Sequence, residues 1–247
     1  QEIYVDGKVC QPDELDLRNQ LHRYILYDAL LTNDSSIVDG KGIGDPTEFA
    51  LVEMGRKATV DENLLRELMP RLEEIPFDSD RKLMSTKYEL HDVPTVLTKG
   101  ALDVLLDRTA NIRLEDGIRE ITQVDKDAIL QKNLEFSQEG LRVLAFGYKE
   151  VPEDYTLSLD NENGFTFLGL ISMMDPPREE SKAAVADAKR AGIKPVMITG
   201  DHKITATAIA KQIGIFEEGD IAMTGRELDA MTEEELDKDI TSISVYA

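Results

Sequence analysis

The sequence has little of what several classes of protein require. Cys10 is its only cysteine and three histidines are scattered along 247 residues, so neither an internal disulfide nor a zinc site is expected. Such a composition is typical of a reducing, cytosolic compartment. There is no run of about 18 apolar residues and no charged-then-apolar leader, so we expect that this chain alone neither spans nor crosses a membrane.

Positive charge is scarce as well. The chain carries 28 lysines and arginines against 49 aspartates and glutamates, and its formal net charge is -21. A field of this sign repels nucleic acid and anionic membranes, so we expect no nucleic-acid partner. An anionic ligand would need a local group of lysines and arginines, together with a divalent cation that screens its phosphates.

The pattern of apolar residues predicts an α/β protein in two parts, residues 1–174 and 175–247, and the length is sufficient for two domains. In the first part we predict helices over 14–32, 45–57, 101–107 and 123–138, and strands over 75–77, 81–89, 95–98, 142–148 and 165–173. Polar turns link the strands between 75 and 98, which predicts antiparallel sheet and an α+β domain.

After residue 174 helices and strands alternate, as they do in a parallel α/β sheet. We predict helices over 176–191, 203–213 and 227–236, and strands over 194–198, 221–223 and 243–246. The helix over 176–191 is predicted from Asp175 as its cap, Pro176 and Pro177 in its first turn, and Gly192 after its end.

The loop Thr199-Gly200-Asp201 lies between a predicted buried strand and a predicted helix. In open α/β sheets ligands bind at the carboxyl ends of strands, and a helix start offers unpaired N–H groups to phosphate. The Thr199 hydroxyl could hold a phosphoryl oxygen and Asp201 could contact a metal-bound group. The structural alternative is that Asp201 only caps the next helix. No residue of the chain supplies the nucleophilic aspartate that such a loop would serve.

Three further sites have a functional and a structural interpretation. Lys99-Gly100 ends a predicted strand. Lys99 is either a lysine that contacts a nucleotide, with Gly100 allowing a ligand to approach closely, or an ordinary surface lysine. Phe77 and Lys82 flank an Asp-Ser-Asp turn. In the functional interpretation Phe77 stacks on a base beside the Lys82 cation, and in the structural one Phe77 is a core residue and Lys82 is solvated. Glu48 occupies the capping-box position of the helix that starts after Asp45, which explains it without a ligand.

Two charged positions complete the set. Arg142 opens a strand after the glycine that closes the helix over 123–138, and it could be an edge-strand charge without a ligand. Asp175-Pro176-Pro177-Arg178 reads as a stiff hinge between the two parts, because consecutive prolines restrict the backbone. Arg178 could in addition reach phosphate.

Five blocks of sequence, in this order and spacing, resemble the P-type cation-transporting ATPases, and in particular their type II calcium-pump branch. They are GDPTEFAL (44–51), IPFDSDRKLMS (75–85), LTKGA (97–101), GLRVLAF (140–146), and FLGLISMMDPPR through VMITGDHKITATAIAKQIGI (167–215). The resemblance implies that residues 1–174 are the nucleotide-binding domain. It also implies that residues 175–247 are an incomplete phosphorylation domain with a haloacid-dehalogenase-like Rossmannoid fold.

The resemblance also assigns roles to residues and implies ATP and Mg²⁺ as ligands. It places Phe77 on the adenine ring, Glu48 at the adenine edge, Arg142 at the phosphates, and Lys82, Lys99 and Gly100 along the nucleotide pocket. Thr199, Gly200 and Asp201 match the loop that holds the γ-phosphate and supports magnesium. Asp175, Pro176, Pro177 and Arg178 match the hinge.

The chain departs from the family pattern in several places. Ser79 stands where some calcium pumps carry an arginine, and the sequence contains neither the DKTGT motif of the phosphorylated aspartate nor a Gly-Asp-Gly-x-Asn-Asp segment. We therefore expect a cytosolic, ATP-binding and by itself catalytically inactive piece of a plasma-membrane Ca²⁺ pump. Its partners would be the remaining phosphorylation, actuator and transmembrane domains.

The missing part of the phosphorylation domain would leave sheet edges exposed at 194–198 or 243–246, through which the piece could self-associate. Two alternatives stay open at this point. One is a haloacid-dehalogenase-like phosphatase with a cap domain, which the α/β segment and Thr199 suggest. The other is a nonenzymatic nucleotide-binding regulatory module, for which a missing nucleophile is the natural state.

Overall fold

A computed structural model describes residues 1–38, 41–174 and 178–247. They divide into two compact units, one formed by Gln1–Asn133 with Val143–Met173 and the other by Leu134–Arg142 with Met174–Ala247. The domain limit predicted after residue 174 stays a prediction. In the described parts of the chain, no helix is both long enough and apolar enough to cross a bilayer.

The described residues up to 174 contain both helices and strands. The helices are α1 (Gln20–Leu31), α2 (Pro46–Lys57), α3 (Glu62–Leu68), α4 (Leu102–Asp107) and α5 (Gln123–Gln138). The strands are β1 (Glu2–Val5), β2 (Lys8–Cys10), β3 (Ser36–Val38), β4 (Lys41–Ile43), β5 (Glu73–Ile75), β6 (Leu83–Leu90), β7 (Val93–Gly100), β8 (Thr109–Leu114), β9 (Gly117–Glu120), β10 (Leu141–Glu150) and β11 (Phe165–Met174).

Most of these strands form one sheet, in the order β2-β1-β11-β10-β7-β6-β5, with β8 paired to β11 and β9 paired to β8. The pairs β5–β6, β6–β7 and β7–β10 are antiparallel, and β8 pairs with β11 in parallel. In the register of β7, Lys99 lies opposite Met84 of β6 and Phe146 of β10. The predicted antiparallel sheet is therefore confirmed.

The main core forms where α1 packs on one face of this sheet. Ile25, Leu26 and Leu30 of α1 are fully buried, in one cluster with Leu97 of β7 and Phe146 of β10. Full burial of one such side chain contributes roughly 1.5–3 kcal/mol. Because residues two apart in a strand share a face, Lys99 points to the same side of β7 as Leu97, toward the helical layer.

The second helix begins as predicted. The Asp45 side chain accepts hydrogen bonds from the backbone N–H groups of Thr47 (2.8 Å) and Glu48 (3.4 Å), and Pro46 occupies the first helical position. An aspartate cap contributes about 1 kcal/mol, and proline loses nothing there because its missing N–H would have no helical partner. The N-terminal turn of α2, which carries Glu48, is therefore fixed locally.

Two arginines fix the turn that follows α1. Arg66 of α3 donates hydrogen bonds to the carbonyl oxygens of Leu30, Asn33 and Ser35, and Arg71 donates to those of Leu31 and Asn33. Guanidinium groups suit this place because the last carbonyls of a helix lack partners within the helix and carry partial negative charge. The turn over 32–35 is thus held rigidly beside the start of α2.

Several boundaries predicted for the first part are wrong. The helix expected over 14–32 starts at Gln20, because Asn19 accepts a hydrogen bond from the Leu21 N–H (2.9 Å) and caps the helix there. Pro12–Glu14 instead form one turn of 3-10 helix. The prediction also missed α3 and the hairpin of β8 and β9.

Beyond residue 174 the described residues form a smaller α/β arrangement. Its elements are α6 (Glu179–Arg190), β12 (Met197–Ile198), α7 (Lys203–Ile213), β13 (Ile221–Met223), α8 (Gly225–Asp229), α9 (Glu233–Asp239) and β14 (Ile243–Tyr246). The three strands are parallel, in the order β12-β14-β13. Ala206, Ala210 and Ile213 of α7 pack with Val245 of β14. The α/β fold class predicted from sequence is confirmed.

Three predicted elements of this unit are wrong in extent. The helix expected over 176–191 begins at Glu179, after Arg178 in extended conformation. The strand expected over 194–198 is only β12. The helix expected over 227–236 is two helices, because Thr232 and Glu235 form a capping box that starts a new helix.

The predicted exposed edge at 243–246 is wrong as well. β14 has a neighbour on each side, so it is the centre of the described sheet. The part of the edge prediction that falls on β12 agrees with the structure, since β12 is an outer strand and its Ile198 side chain is 82% exposed.

Candidate functional site

The first unit contains a buried ion pair between two of the predicted site residues. Lys99, next to last in β7, places its Nζ 2.6 Å from Oε1 of Glu48 in the first turn of α2. The two side chains are 6% and 16% exposed. Burial lowers the pKa of Lys99, while the Glu48 carboxylate opposes that shift. The surface-lysine interpretation of Lys99 is therefore wrong.

The other oxygen of Glu48 is also engaged. Its Oε2 accepts a hydrogen bond from the backbone N–H of Asp34 at 3.0 Å, and Asn33 Nδ2 donates to the Glu48 carbonyl at 2.9 Å. The Glu48 side chain thus bonds to Lys99 and to the turn after α1, instead of folding back onto its own helix. The capping-box explanation of Glu48 is wrong, because these tertiary partners take both oxygens.

Asp28 lies in the third turn of α1, and it is not among the site residues predicted from the sequence. It is fully buried, and neither carboxylate oxygen has a hydrogen-bond partner within 3.5 Å. Burial raises the pKa of Asp28 well above its ordinary value, and the Thr32 hydroxyl, followed by the charge of Lys99, opposes that shift. The sequence feature that could have drawn attention to Asp28 is an acidic residue on the apolar face of a predicted amphipathic helix.

Phe77 and Lys82 lie in the loop between β5 and β6, and both are exposed to solvent. The Phe77 side chain is 59% exposed, so the alternative of a core phenylalanine is wrong. The loop is nevertheless well held, because Asp78 Oδ1 accepts from the backbone N–H groups of Asp80 (3.0 Å) and Arg81 (2.8 Å). Arg81 is anchored in turn on buried Glu162 at 2.7 Å. Phe77 is thus an aromatic side chain displayed from a fixed loop.

Gly100 is explained by the chain itself. A Cβ at this position would lie 2.1 Å from the carbonyl oxygen of Lys82, an oxygen that also accepts a hydrogen bond from the Ala101 N–H at 3.0 Å. Only glycine allows this approach of β7 to the loop before β6. The close approach predicted for a ligand is therefore made by the backbone of Lys82.

Two clefts of about 260 Å³ each lie elsewhere in the first unit. One includes Arg113, Ile129 and Phe167 in its lining, and the other includes Arg71 and Tyr88. Neither is lined by a residue predicted to contact nucleotide. We therefore define the candidate site by the chemistry of Glu48 and Lys99, with Phe77 exposed on the loop that precedes β6.

In the second unit, the predicted phosphate loop joins β12 to α7. The Thr199 hydroxyl donates to Asp201 Oδ2 and accepts from the Asp201 backbone N–H, each at 3.1 Å. Arg142 approaches Asp201 Oδ1 at 3.3 Å, with side chains 43% and 36% exposed. Nothing lies within 4 Å of the place where a Cβ on Gly200 would be. The loop is thus ordered by Thr199 and open at Gly200.

The capping interpretation of Asp201 is wrong. His202 is the N-cap of α7, and its Nδ1 accepts from the Ile204 N–H at 3.5 Å, a long contact. Asp201 instead bonds to Thr199 and pairs with Arg142. The predicted hinge residues Asp175, Pro176 and Pro177 lie outside the described residues, while Arg178 is exposed at the start of α6.

The described residues contain no preassembled metal site. Within residues 1–38, 41–174 and 178–247, no group of three or more acidic, histidine or cysteine side chains could hold a metal ion. Thr199 and Asp201 offer two oxygen donors on one loop. Mg²⁺ commonly takes one or two carboxylates and completes its shell with phosphates and water. This donor set therefore fits a magnesium ion that arrives with a phosphate ligand.

Comparison with known proteins gives consistent matches. Residues 23–180 match the family described as "P-type ATPase, cytoplasmic domain N". A calcium-transporting ATPase of Listeria monocytogenes is 46% identical over 96% of this chain and 27% of its own length. Calcium-transporting ATPase 1 of Lactococcus lactis is 47% identical over 94% of this chain and 27% of its own. A cation-transporting ATPase of Synechocystis is 42% identical over 90% of this chain and 25% of its own length.

The chain spans about a quarter of the length of these relatives. The family match itself covers more than half of the chain, and it includes Glu48, Phe77, Lys99 and Arg142. The buried ion pair and the exposed aromatic thus both lie in the matched segment. This chain belongs to the P-type ATPases, and residues 23–180 correspond to their cytoplasmic domain N.

Proposed function

We propose that this chain is the ATP-binding part of a P-type ATPase, and that it binds the nucleotide in its first unit. The observation that carries the proposal is the buried pair of Glu48 and Lys99 at 2.6 Å, in a unit that displays Phe77 from a fixed loop. Adenine presents an exocyclic amine and ring nitrogens at its edge and π-faces above and below. A carboxylate, an ammonium and an aromatic ring are the groups that match those features.

Each residue has a role in this proposal. Phe77 stacks on the adenine ring, Glu48 accepts a hydrogen bond from the adenine edge, and Lys99 supplies positive charge within the site. Lys82, exposed on the same loop as Phe77, adds a second cation near the nucleotide. Gly100 contributes by letting β7 pass close to Lys82, which fixes Lys99 relative to the loop.

The second unit is proposed to act on the phosphates. Thr199 and the open backbone at Gly200 offer donors to a phosphoryl oxygen, and α7 begins directly after the loop with N–H groups suited to an anion. Arg142 would exchange Asp201 for phosphate, and Asp201 would then hold Mg²⁺. A bound Mg²⁺ supplies charge neutralisation to the phosphates. Arg178, with Asp175, Pro176 and Pro177, is proposed to form the hinge.

For the whole protein we propose ATP-driven cation transport through an aspartyl phosphate, with Ca²⁺ as the transported ion and the plasma membrane as its location. Support comes from the relatives of Listeria and Lactococcus, which are named as calcium-transporting ATPases. The sequence has no DKTGT motif, so the 247 residues alone are proposed to bind ATP without being phosphorylated. The actuator, transmembrane and remaining phosphorylation domains would be its partners in the whole protein, and Ile198 on the outer strand β12 is a place for self-association.

Calorimetric titration of the chain with ATP tests the nucleotide proposal. Phe77→Ala should weaken ATP binding by roughly 1–3 kcal/mol, the range found when an aromatic that stacks on a base is removed. Leu64→Ala is the matched control, because Leu64 is 56% exposed, much as Phe77 is, and lies on α3. Equal ATP affinities in the two variants would overturn the role of Phe77, and absence of ATP binding by the unaltered chain would overturn the nucleotide site.

The transport proposal is tested on the full-length protein in sealed vesicles. Uptake of ⁴⁵Ca²⁺ that depends on ATP, with ATP hydrolysis stimulated by micromolar Ca²⁺, is the expected result. Stimulation of ATP hydrolysis by another cation, with no Ca²⁺ uptake, would overturn Ca²⁺ as the transported ion and leave the nucleotide-binding proposal intact.

A further inference from the structure

A buried acid between β10 and β11 has no role in the function proposed so far. The side chain of Glu162 is fully enclosed, with an exposure of 0%. Removing a carboxylate from water costs free energy, and an apolar residue at the same position would avoid that cost. Packing alone therefore does not account for a glutamate here, and its partners have to be considered.

Both carboxylate oxygens of Glu162 have partners. Arg81 Nη1 donates to Oε1 at 2.7 Å and to Oε2 at 2.9 Å, the Ser85 hydroxyl of β6 donates to Oε1, and Arg108 Nη1 lies 3.4 Å from Oε2. The Arg81 side chain is itself only 11% exposed. Because its guanidinium is enclosed against a carboxylate, Arg81 is poorly placed to bind a phosphate directly.

The main chain at Glu162 is fixed to the large sheet. Lys149 of β10 donates from its Nζ to the carbonyl oxygens of Asn161 and Asn163, the residues on either side of Glu162. Arg108, which follows α4, donates to the carbonyl oxygen of Glu162 at 3.3 Å. Glu162 is therefore a rigid anchor for whatever its carboxylate holds.

Arg81 connects this anchor to the loop that displays Phe77. Its Nη2 donates to the carbonyl oxygen of Pro76, directly before Phe77, and to that of Ile75 at 3.5 Å. The guanidinium holds its nitrogens at fixed angles, so one side chain can bond to a carboxylate and to a carbonyl at once. The Arg81 backbone N–H donates to Asp78 Oδ1 at 2.8 Å. Arg81 thus bonds to the residues on both sides of Phe77.

We infer that Arg81 and Glu162 are positioning residues for Phe77, because together they fix the main chain before and after the aromatic side chain. This inference rests on the proposed stacking of Phe77 on adenine. The Phe77 side chain is 59% exposed, so its surroundings restrict it little and its main-chain contacts decide where the ring lies. A loop that is ordered before binding loses less conformational entropy when the ligand arrives.

Two results separate a positioning role from a direct contact with the ligand. Adenosine has the base of ATP without its phosphates, so a change that acts through Phe77 should weaken ATP and adenosine by the same factor. Removal of a phosphate contact would weaken ATP more. In addition, Arg81 should have no effect on affinity in a Phe77→Ala background, because the ring that it positions is then absent.

The experiment measures ATP and adenosine affinities by calorimetry for the unaltered 247-residue chain, Arg81→Met, Phe77→Ala and the double variant, with the fold checked by circular dichroism. We expect Arg81→Met to weaken both ligands roughly three- to tenfold, less than removal of the ring does, because the ring is still present. Arg108→Met is the matched control, since Arg108 pairs with the same carboxylate but bonds to the Glu162 carbonyl rather than to the loop of Phe77.

Glu162 is tested by Glu162→Gln, which keeps the size of the side chain and removes its charge. It should weaken both ligands in the same way as Arg81→Met, and again only while Phe77 is present. Unchanged affinities in both variants would overturn the inference. A loss that is larger for ATP than for adenosine, that persists in the Phe77→Ala background, or that is equal in Arg108→Met would also overturn it.

Failure of the proposed function would look different. Absence of ATP binding by the unaltered chain would overturn the nucleotide site, and an unchanged affinity in Phe77→Ala would overturn the stacking. A further measurement needs no variant, because ¹⁵N relaxation of the unaltered chain reports the order of the Phe77 backbone N–H. An order parameter of about 0.85, as in rigid backbone, supports the inference, and one below about 0.6 overturns it.

Discussion

Each of the two units holds an ion pair between predicted site residues that are distant in sequence, and these two pairs differ in their surroundings. Glu48 and Lys99 lie 2.6 Å apart with exposures of 16% and 6%, whereas Arg142 and Asp201 lie 3.3 Å apart with exposures of 43% and 36%. Charges attract each other more strongly away from water, but each buried charge then depends on its partner. The first pair is therefore part of the fold, and the second is a weak surface contact.

This difference bears on how each region meets a ligand. Glu48 is held on both oxygens and Lys99 is enclosed, so the proposed nucleotide site is organised before binding, which would reduce the ordering cost of association. The proposed phosphate loop is ordered by the Thr199 hydroxyl, and Asp201 can exchange Arg142 for another cation at little cost. Under the proposed function, the difference in burial makes the Glu48–Lys99 site pre-organised and the loop at Asp201 adaptable.

The largest effect should come from breaking the buried pair on one side. Glu48→Leu removes the carboxylate that is bonded to the enclosed Lys99 ammonium, which should lower the free energy of unfolding by about 3–5 kcal/mol. Urea denaturation followed by far-UV circular dichroism measures it. The double variant Glu48→Leu/Lys99→Met removes both charges and should recover much of the loss. A loss under about 1 kcal/mol in the single variant would mean that the Lys99 ammonium is hydrated. The two ion pairs would then not differ in how strongly they depend on burial.

A second test sharpens the contrast through binding. Lys99→Met should weaken ATP by roughly 1.5–3 kcal/mol, the contribution of a hydrogen bond to a charged group, and should weaken adenosine less because adenosine has no phosphate. Calorimetry with both ligands gives the two losses. Lys87→Met is the matched control, since Lys87 is an equally buried lysine of β6 that pairs with Glu73 instead. Equal losses for ATP and adenosine would argue against a phosphate-directed charge on Lys99.

Sequence reasoning found the residues of the buried pair but not the pair itself. Glu48 and Lys99 are 51 positions apart, and their contact depends on how α2 packs beside the end of β7, which no local pattern encodes. The local capping rule even favoured a wrong explanation of Glu48, because tertiary partners took both oxygens. Asp28 was hidden for a similar reason, since its spacing fits the apolar face of α1.

The elements were predicted best where local chemistry decides them. Asp45 and Pro46 set the start of α2, and the Asp45 cap is present in the structure. Helix ends were missed where a second capping residue starts a new helix. Thr232 is such a residue, and it divides the helix expected over 227–236. Strand pairing was missed where it depends on distant segments. β14 is central because β12 and β13 both pair with it, and its own sequence cannot show this.

A third test uses pH to probe the buried side alone. The pKa of Asp28 is raised on folding, so the folded chain binds more protons than the unfolded chain above about pH 4, and stability falls as pH rises from there to the folded pKa. The slope from one such group is at most about 1.4 kcal/mol per pH unit. Asp28→Asn should become progressively more stable than the unaltered chain over this window in urea denaturation. A constant difference at all pH values would show that Asp28 ionises normally.

The smallest effect should come from the exposed pair, and it tests the other half of the contrast. Asp201→Asn keeps the shape of the side chain and removes the charge facing Arg142, so the free energy of unfolding should change by about 0–1 kcal/mol. The same variant should weaken the binding of Mg²⁺ together with inorganic phosphate at this loop, since the amide oxygen is a poorer magnesium ligand than a carboxylate. Urea denaturation and calorimetry with and without Mg²⁺ measure the two quantities. A stability loss above about 2 kcal/mol would place this pair with the buried one, because only a desolvated charge loses so much when its partner is removed.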